Sequence, residues 1–175
     1  GSYYDWMHVV CTRSAGVSKI FVNGVLVSIG SYSFTPINNG HTLYLGNNPT
    51  AVFQRFDGLL DEVGIWSRVL TTSEILELYS TGSGKSYPFY KTFQEPNLKN
   101  GLISYYKLDG NSKDSLGVNN GTSYNITYNT GKLGSGAVLN GSNSYIITTE
   151  NNTLPTGYSA QTLSCWFKTT ANGTF

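Results

Sequence analysis

The sequence holds 175 residues, of which only 12% are charged and 14% aromatic, with a net charge of +1. That length allows one domain, or two small ones, around a sizeable core. The near-neutral balance without a basic stripe argues against a nucleic-acid partner, no apolar run is long enough to span a membrane, and no charged stretch followed by an apolar run marks a signal peptide.

In chain order, residues 8–13 form the first β-rich run. Residues 19–22 and 25–27 follow, separated by Asn23-Gly24. That dipeptide predicts a hairpin, because a type I′ turn needs positive φ at both central positions. Residues 42–45 form a run that ends at the turn signal 46–49, and residues 58–66 read as a longer strand. Thr71-Thr72-Ser73-Glu74 fits a capping box, and Ile75, Leu78 and Tyr79 then share one helical face. The pattern predicts one helix of about two turns, stopping at Gly82 and docked on the sheets because so short a helix does not stand alone. Residues 82–100 carry Gly, Ser, two Pro and no period, and read as a linker.

Strands resume at residues 102–108. A turn-rich stretch covers 109–120, and further runs cover 123–128, 137–139 and 145–147. The last run, 163–168, alternates. Leu163, Cys165 and Phe167 face one way, Ser164, Trp166 and Lys168 the other. Many short strands with regular turns predict an all-β sandwich or jelly roll.

Little in the chain points to catalysis. His8 and His41 lie on predicted strands, and no nucleophile elbow, zinc-protease or phosphate-loop motif is present. Asp61 and Glu62 are adjacent on a strand, so they should point to opposite faces and cannot form the carboxylate pair of a glycosidase. Asp61 suits an anchor for a turn or for backbone amides. The predicted protein is therefore not an enzyme. Asp109, Asn111 and Asp114 offer three oxygen ligands in one turn and make calcium the candidate cofactor, against an ordinary Asx-rich turn in which these side chains bond their own backbone. Tyr3, Tyr4, Trp6 and Trp166 are candidates for a sugar-binding platform, whereas Trp66 lies among apolar residues and reads as core. Cys11 and Cys165 lie in strand runs without a CxxC or a His/Cys cluster, which argues against zinc and leaves free thiols and a disulfide both open. Sequons at Asn120, Asn125, Asn140, Asn151 and Asn172 are no more than a chain rich in Ser and Thr gives by chance.

Three stretches resemble a known family. Trp6-Met7-His8-Val9-Val10-Cys11-Thr12 with Lys19-Ile20-Phe21-Val22-Asn23-Gly24 looks like one of its hairpins. Phe56-Asp57-Gly58-Leu59-Leu60-Asp61-Glu62-Val63-Gly64-Ile65-Trp66-Ser67-Arg68-Val69-Leu70-Thr71 with Glu74-Ile75 looks like its closing strand and helix. Residues 102–108, Asp109-Gly110-Asn111, Asp114, Asn119-Asn120-Gly121-Thr122, Gly136-Ala137-Val138-Leu139-Asn140-Gly141 and 163–169 look like its N-terminal half. Together they resemble the laminin G-like group of concanavalin A-like jelly rolls, which includes the pentraxins. The resemblance implies a sandwich of two antiparallel sheets with one short helix.

The order is inverted. Residues 1–81 match the family's C-terminal half and residues 101–175 its N-terminal half, with 82–100 between them. The chain is read as a window on a tandem array in preference to a circular permutant, because Phe175 stops in mid-pattern. Under that reading each half exposes apolar surface unless a neighbouring copy completes it. In pentraxin-like relatives a disulfide joins the two strands on which Cys11 and Cys165 fall, which implies a pair here and an oxidising compartment. The loop matching the pentraxin double-calcium site falls on Asn47-Asn48-Pro49-Thr50, which has no carboxylate.

These readings converge on a non-catalytic, lectin-like recognition or adhesion module of an extracellular, cell-surface or virion-surface protein. Its partners would be glycan, a cell-surface protein or neighbouring copies of the same domain, with no nucleic acid and no membrane insertion. The alternatives are a structural jelly-roll repeat of a fibre or virion, and an accessory module of a secreted glycoside hydrolase.

Overall fold

The computed structural model describes residues 5–31, 42–47, 55–90, 97–148, 153–155 and 159–169. Among them lie β1 (Met7–Ser14), β2 (Val17–Val22), β3 (Val25–Ser31), β4 (Tyr44–Leu45), β5 (Asp57–Trp66), α1 (Thr72–Tyr79), β6 (Leu102–Tyr106), β7 (Gly121–Tyr124), β8 (Thr127–Thr130), β9 (Ser135–Asn140), β10 (Tyr145–Thr148) and β11 (Gln161–Thr169). They form two antiparallel sheets. The large sheet runs β3-β2-β1-β11-β5-β9-β8, with β6 beside the second half of β5; the small sheet runs β4-β10-β7. The fold is a concanavalin A-like jelly-roll sandwich.

Strands from both ends of the chain share the large sheet. β1 pairs with β11 from Met7↔Phe167 to Arg13↔Gln161. β5 pairs with β11, β9 and β6 in turn. Thr162 on β11 ties them further: its hydroxyl donates to the Arg68 carbonyl at 2.7 Å and accepts from the Leu70 N–H at 3.0 Å.

Local sequence explains most of the elements. Asn23 and Gly24 have φ of 50° and 79°, as the hairpin between β2 and β3 requires. Ala15 and Gly16 make a second such turn between β1 and β2, with φ of 47° and 79°. An alanine seldom occupies that region, which hid this turn in the sequence. The capping box forms: the Glu74 N–H donates to Thr71 Oγ1 and the Thr71 N–H to Glu74 Oε2. Arg68 then clamps the Glu74 carboxylate with bonds of 2.7 and 2.5 Å. The helix ends on Ser80, which is left-handed at φ 47°, before the expected Gly82. The run expected at 123–128 is not one strand. Asn125 adopts φ 51° and breaks it into β7 and β8, which join different sheets.

Both faces of the large sheet are covered. One face packs Val63, Ile65, Tyr106 and Ala137 against Leu45 and Ile146 of the small sheet. The other packs Val10, Phe21, Trp66 and Tyr105 against Ile75 and Leu78 of α1 and against Phe89 and Leu98. Phe89 and Leu98 come from the stretch read as a linker. After Gly82, its described residues, 83–90 and 97–100, lie in no strand or helix, so no period marked those core residues. Trp66 is core as expected; its indole N–H donates to the Leu98 carbonyl at 2.8 Å.

Candidate functional site

Two polar and aromatic clusters stand out, one buried and one exposed. The buried one is built on an irregularity. Ser164 pairs with Gly64 but Trp166 pairs with Asp61, so β5 carries one extra residue there. Glu62 takes the left-handed conformation, φ 51°, at this bulge. The bulge breaks the alternation that would place Asp61 and Glu62 on opposite faces: both are buried, and their charges act on each other.

Asp61 is fully buried, and its carboxylate accepts from three backbone N–H groups, those of Glu62 (2.8 Å), Lys132 (2.7 Å) and Leu133 (2.9 Å). It is the amide anchor that its place in the sequence implied. Burial pushes its carboxyl up to about 7 while those amides pull the other way. Burial also pushes Glu62 up to about 7, opposed by hydrogen bonds from the Tyr105 and Ser86 hydroxyls and reinforced by the charges of Asp61 and Asp109. Both carboxyls are thus raised mainly by burial, and the three amide donors favour the ionised form of Asp61.

His8 completes the seam. Its Nε2 lies 2.8 Å from Ser164 Oγ, its Nδ1 has no partner among the described residues, and burial lowers its pKa to about 4. Trp166 packs beside His8 and Tyr79, at centroid distances of 5.0 and 5.8 Å, and those two rings lie 6.1 Å from each other; the Lys132 ammonium is 4.6 Å from the Trp166 ring centre. At 2% exposure it offers no open ring face. Expected as a sugar-facing residue, Trp166 instead faces the layer formed by α1. The alternation was read correctly, but both faces of this sheet are covered.

The other expected site residues scatter. Tyr3 and Tyr4 lie outside the described residues, as does His41. Trp6 is half-buried, its ring reaching toward Gly136. The three calcium candidates are bonded to different parts of the backbone. Asp109 Oδ1 accepts from the Ser135 N–H at 2.7 Å, and Asn111 Oδ1 from the Lys113 N–H at 2.9 Å. Asp114 is buried and accepts from the Tyr105, Leu116 and Asn119 N–H groups at 2.9, 3.1 and 3.0 Å. Asn111 thus forms a local Asx bond, while Asp109 and Asp114 tie the turn to neighbouring segments. Among the described residues no group of three His, Cys, Asp or Glu side chains could hold a metal ion. Cys11 and Cys165 carry free thiols, so the implied disulfide is not formed here. Cys11 sits opposite Leu163 and Cys165 opposite Val9, which makes the two cysteines diagonal neighbours and not a directly facing pair.

The exposed cluster was not singled out from the sequence. Leu45 and Ile146 face the large sheet, so their neighbours Tyr44, Tyr145 and Ile147 face outward. Tyr145 pairs with Tyr124 across β7 and β10, and their rings stack at 4.7 Å and 16°. Tyr44 flanks Tyr145 at 5.9 Å and 57°. Tyr124 is 45% exposed. β4, β7 and β10 carry no charged residue. The three tyrosines come together only through strand register, which no local signal in the sequence reports.

These features place the domain in a recognisable class. Residues 3–76 match the laminin G-like family described as "Concanavalin A-like lectin/glucanases superfamily". A stretch of 78 residues is 31% identical to the adhesion G-protein coupled receptor V1 of Danio rerio, covering 43% of this chain and 1% of that protein. The chain thus spans about a hundredth of the length of that relative. No solved structure matches it significantly. Among the described residues no helix is long and apolar enough to cross a membrane.

Proposed function

We propose that this domain is a non-catalytic recognition module of a surface-exposed or secreted protein and that it adheres to glycan. The likeness of a 78-residue stretch to part of an adhesion receptor carries this reading, together with the family match over residues 3–76, which include β1 to β5. The chemistry of the interior is in keeping with it. Asp61, Glu74 and Asp114 are all spent on amides or on an arginine. The test is binding of the purified domain to a printed glycan array, with isothermal titration of any hit. Saturable binding supports the reading; a blank array at high domain concentration defeats it.

A second reading, a structural repeat assembled through its own neighbours, is favoured by β3. This edge strand is exposed along its whole length and contains no charge and no proline, with Val25, Val27 and Ile29 at 64%, 57% and 62% exposure. Such edges are templates for another strand. Sedimentation velocity separates the readings. Concentration-dependent association that I29K abolishes favours the repeat, and a monomer throughout favours the lone module.

A further inference from the structure

We infer that the outer face of the small sheet is a subsite for an uncharged sugar unit, with Tyr124, Tyr145 and Tyr44 as its aromatic row and Asn125 and Asn143 at one end. This rests on the reading of the domain as a glycan-binding module and names the surface that does it. Four observations on this face carry it.

Strand register puts the tyrosines on the outer face, opposite Leu45 and Ile146. Buried tyrosines of the same domain have their hydroxyls engaged, Tyr106 donating to the Asn119 carbonyl at 2.7 Å and Tyr105 lying within reach of both the Lys85 carbonyl and Glu62. Among the described residues, the hydroxyls of Tyr44, Tyr124 and Tyr145 make no such bond. Three phenols are therefore free to donate to, or accept from, a ligand.

The row is held in place. Tyr124 and Tyr145 stack against each other on directly paired strand positions, so neither ring turns without losing the other. Tyr124 lies on β7, an edge strand of this sheet, and is 45% exposed. A sugar ring has an apolar C–H face of matching size, which an aromatic ring face accepts.

Amide groups sit beside the row. Asn125 follows Tyr124 between β7 and β8, is exposed, and donates from Nδ2 to the Asn143 carbonyl at 3.3 Å, which leaves its Oδ1 for a ligand. Asn143 is fixed in turn by Asn140, whose Oδ1 accepts from the N–H groups of Ser142, Asn143 and Ser144. The turn is thus ordered before any ligand arrives, which lowers the cost of binding.

The face is uncharged. None of the three strands contributes Lys, Arg, Asp or Glu. A sialylated or sulfated glycan would find no counter-charge here, whereas a neutral hexose or N-acetylhexosamine needs none.

The experiment is a printed array carrying neutral, sialylated and sulfated glycans, probed with wild type, Y124A, Y145A and the control Y90A. Tyr90 is 76% exposed and lies on the segment before β6, outside the small sheet. Thermal unfolding of each variant is recorded alongside. The expected result is binding to neutral glycans that falls at least tenfold in Y124A and in Y145A, is kept in Y90A, and is accompanied by an unchanged melting temperature in Y124A. Y124F, which keeps the ring and loses the hydroxyl, should retain part of the affinity. Unchanged binding in Y124A and Y145A overturns the subsite while leaving the glycan-binding reading in place. Preference for sialylated or sulfated glycans overturns the neutral-ligand assignment. No binding to any glycan overturns both.

Discussion

The buried seam at the β5 bulge and the exposed row on the small sheet use similar materials to opposite ends. Each gathers aromatic rings and polar groups on paired strands. In the seam, Asp61 meets three backbone amides, Glu62 meets two hydroxyls and Trp166 is enclosed by His8, Tyr79 and Lys132. Only the buried His8 Nδ1 and Glu62 Oε2 are without a hydrogen-bond partner in this seam among the described residues, and neither is open to solvent. On the row, the phenols and the Asn125 Oδ1 remain unspent. What separates structure from function in this domain is therefore the hydrogen-bond account of each group more than its chemical type.

The seam should accordingly dominate stability and the row should leave it untouched. The largest effect is expected from D61A, which strands three buried N–H donors and should cost about 3 kcal/mol or more in urea unfolding. A loss below about 1 kcal/mol would mean that the turn at Lys132 and Leu133 is held by something else.

The next effect is on pH dependence. Glu62 keeps its proton in the fold up to about 7, against an ordinary 4.5. Between those values only the folded state holds the proton, so its contribution to stability falls as pH rises and is gone above 7. His8 works in the opposite direction. Its pKa of about 4 against 6.5 means that the unfolded chain takes up the proton first as pH drops, so stability is lost between pH 6.5 and 4. The two slopes oppose each other in the wild type. Asp61, also raised to about 7, slopes in the same direction as Glu62, so E62Q removes one of two contributions that oppose His8, and its stability should rise more steeply with pH from 4 to 6.5 than the wild type's. A profile in E62Q that runs parallel to the wild type's would show that Glu62 is ionised throughout.

Smaller effects are expected on the exposed side. Y124A should change unfolding free energy by less than about 0.5 kcal/mol, as exposed positions do. A larger loss would make the tyrosine stack a structural element, and the contrast between the two clusters would fail. Smallest of all is the expected response to calcium. Asp114 has both carboxylate oxygens engaged by amides, so about 1 mM calcium should shift the melting temperature by less than about 1 °C. A clear upward shift would restore the turn at Asp109 as a metal site.

Local signals made much of the fold legible. The Asn23-Gly24 turn and the Thr71–Glu74 capping box each satisfy a geometric need with nearby residues, and both appear as read. The amide-anchoring role of Asp61 was also readable. What escaped was long-range. Glu62 sits at a bulge defined by its pairing with β11, about a hundred residues on, so strict alternation misplaced it. Trp166 was given a free face because the sequence does not report that two layers cover the same sheet. The tyrosine row depends on Tyr124, Tyr145 and Tyr44 arriving side by side from three separate strands. Strand pairing of that kind is set by the whole core, not by any window of the chain.

The most direct test of the contrast is a two-dimensional amide NMR titration of the uniformly labelled domain with a neutral oligosaccharide. The account predicts that shifts concentrate on residues 44–45, 122–125 and 143–147, with the amides of Glu62, Lys132, Leu133 and Trp166 unmoved. Shifts centred on those seam amides, or a spectrum unchanged at saturating sugar, would contradict it.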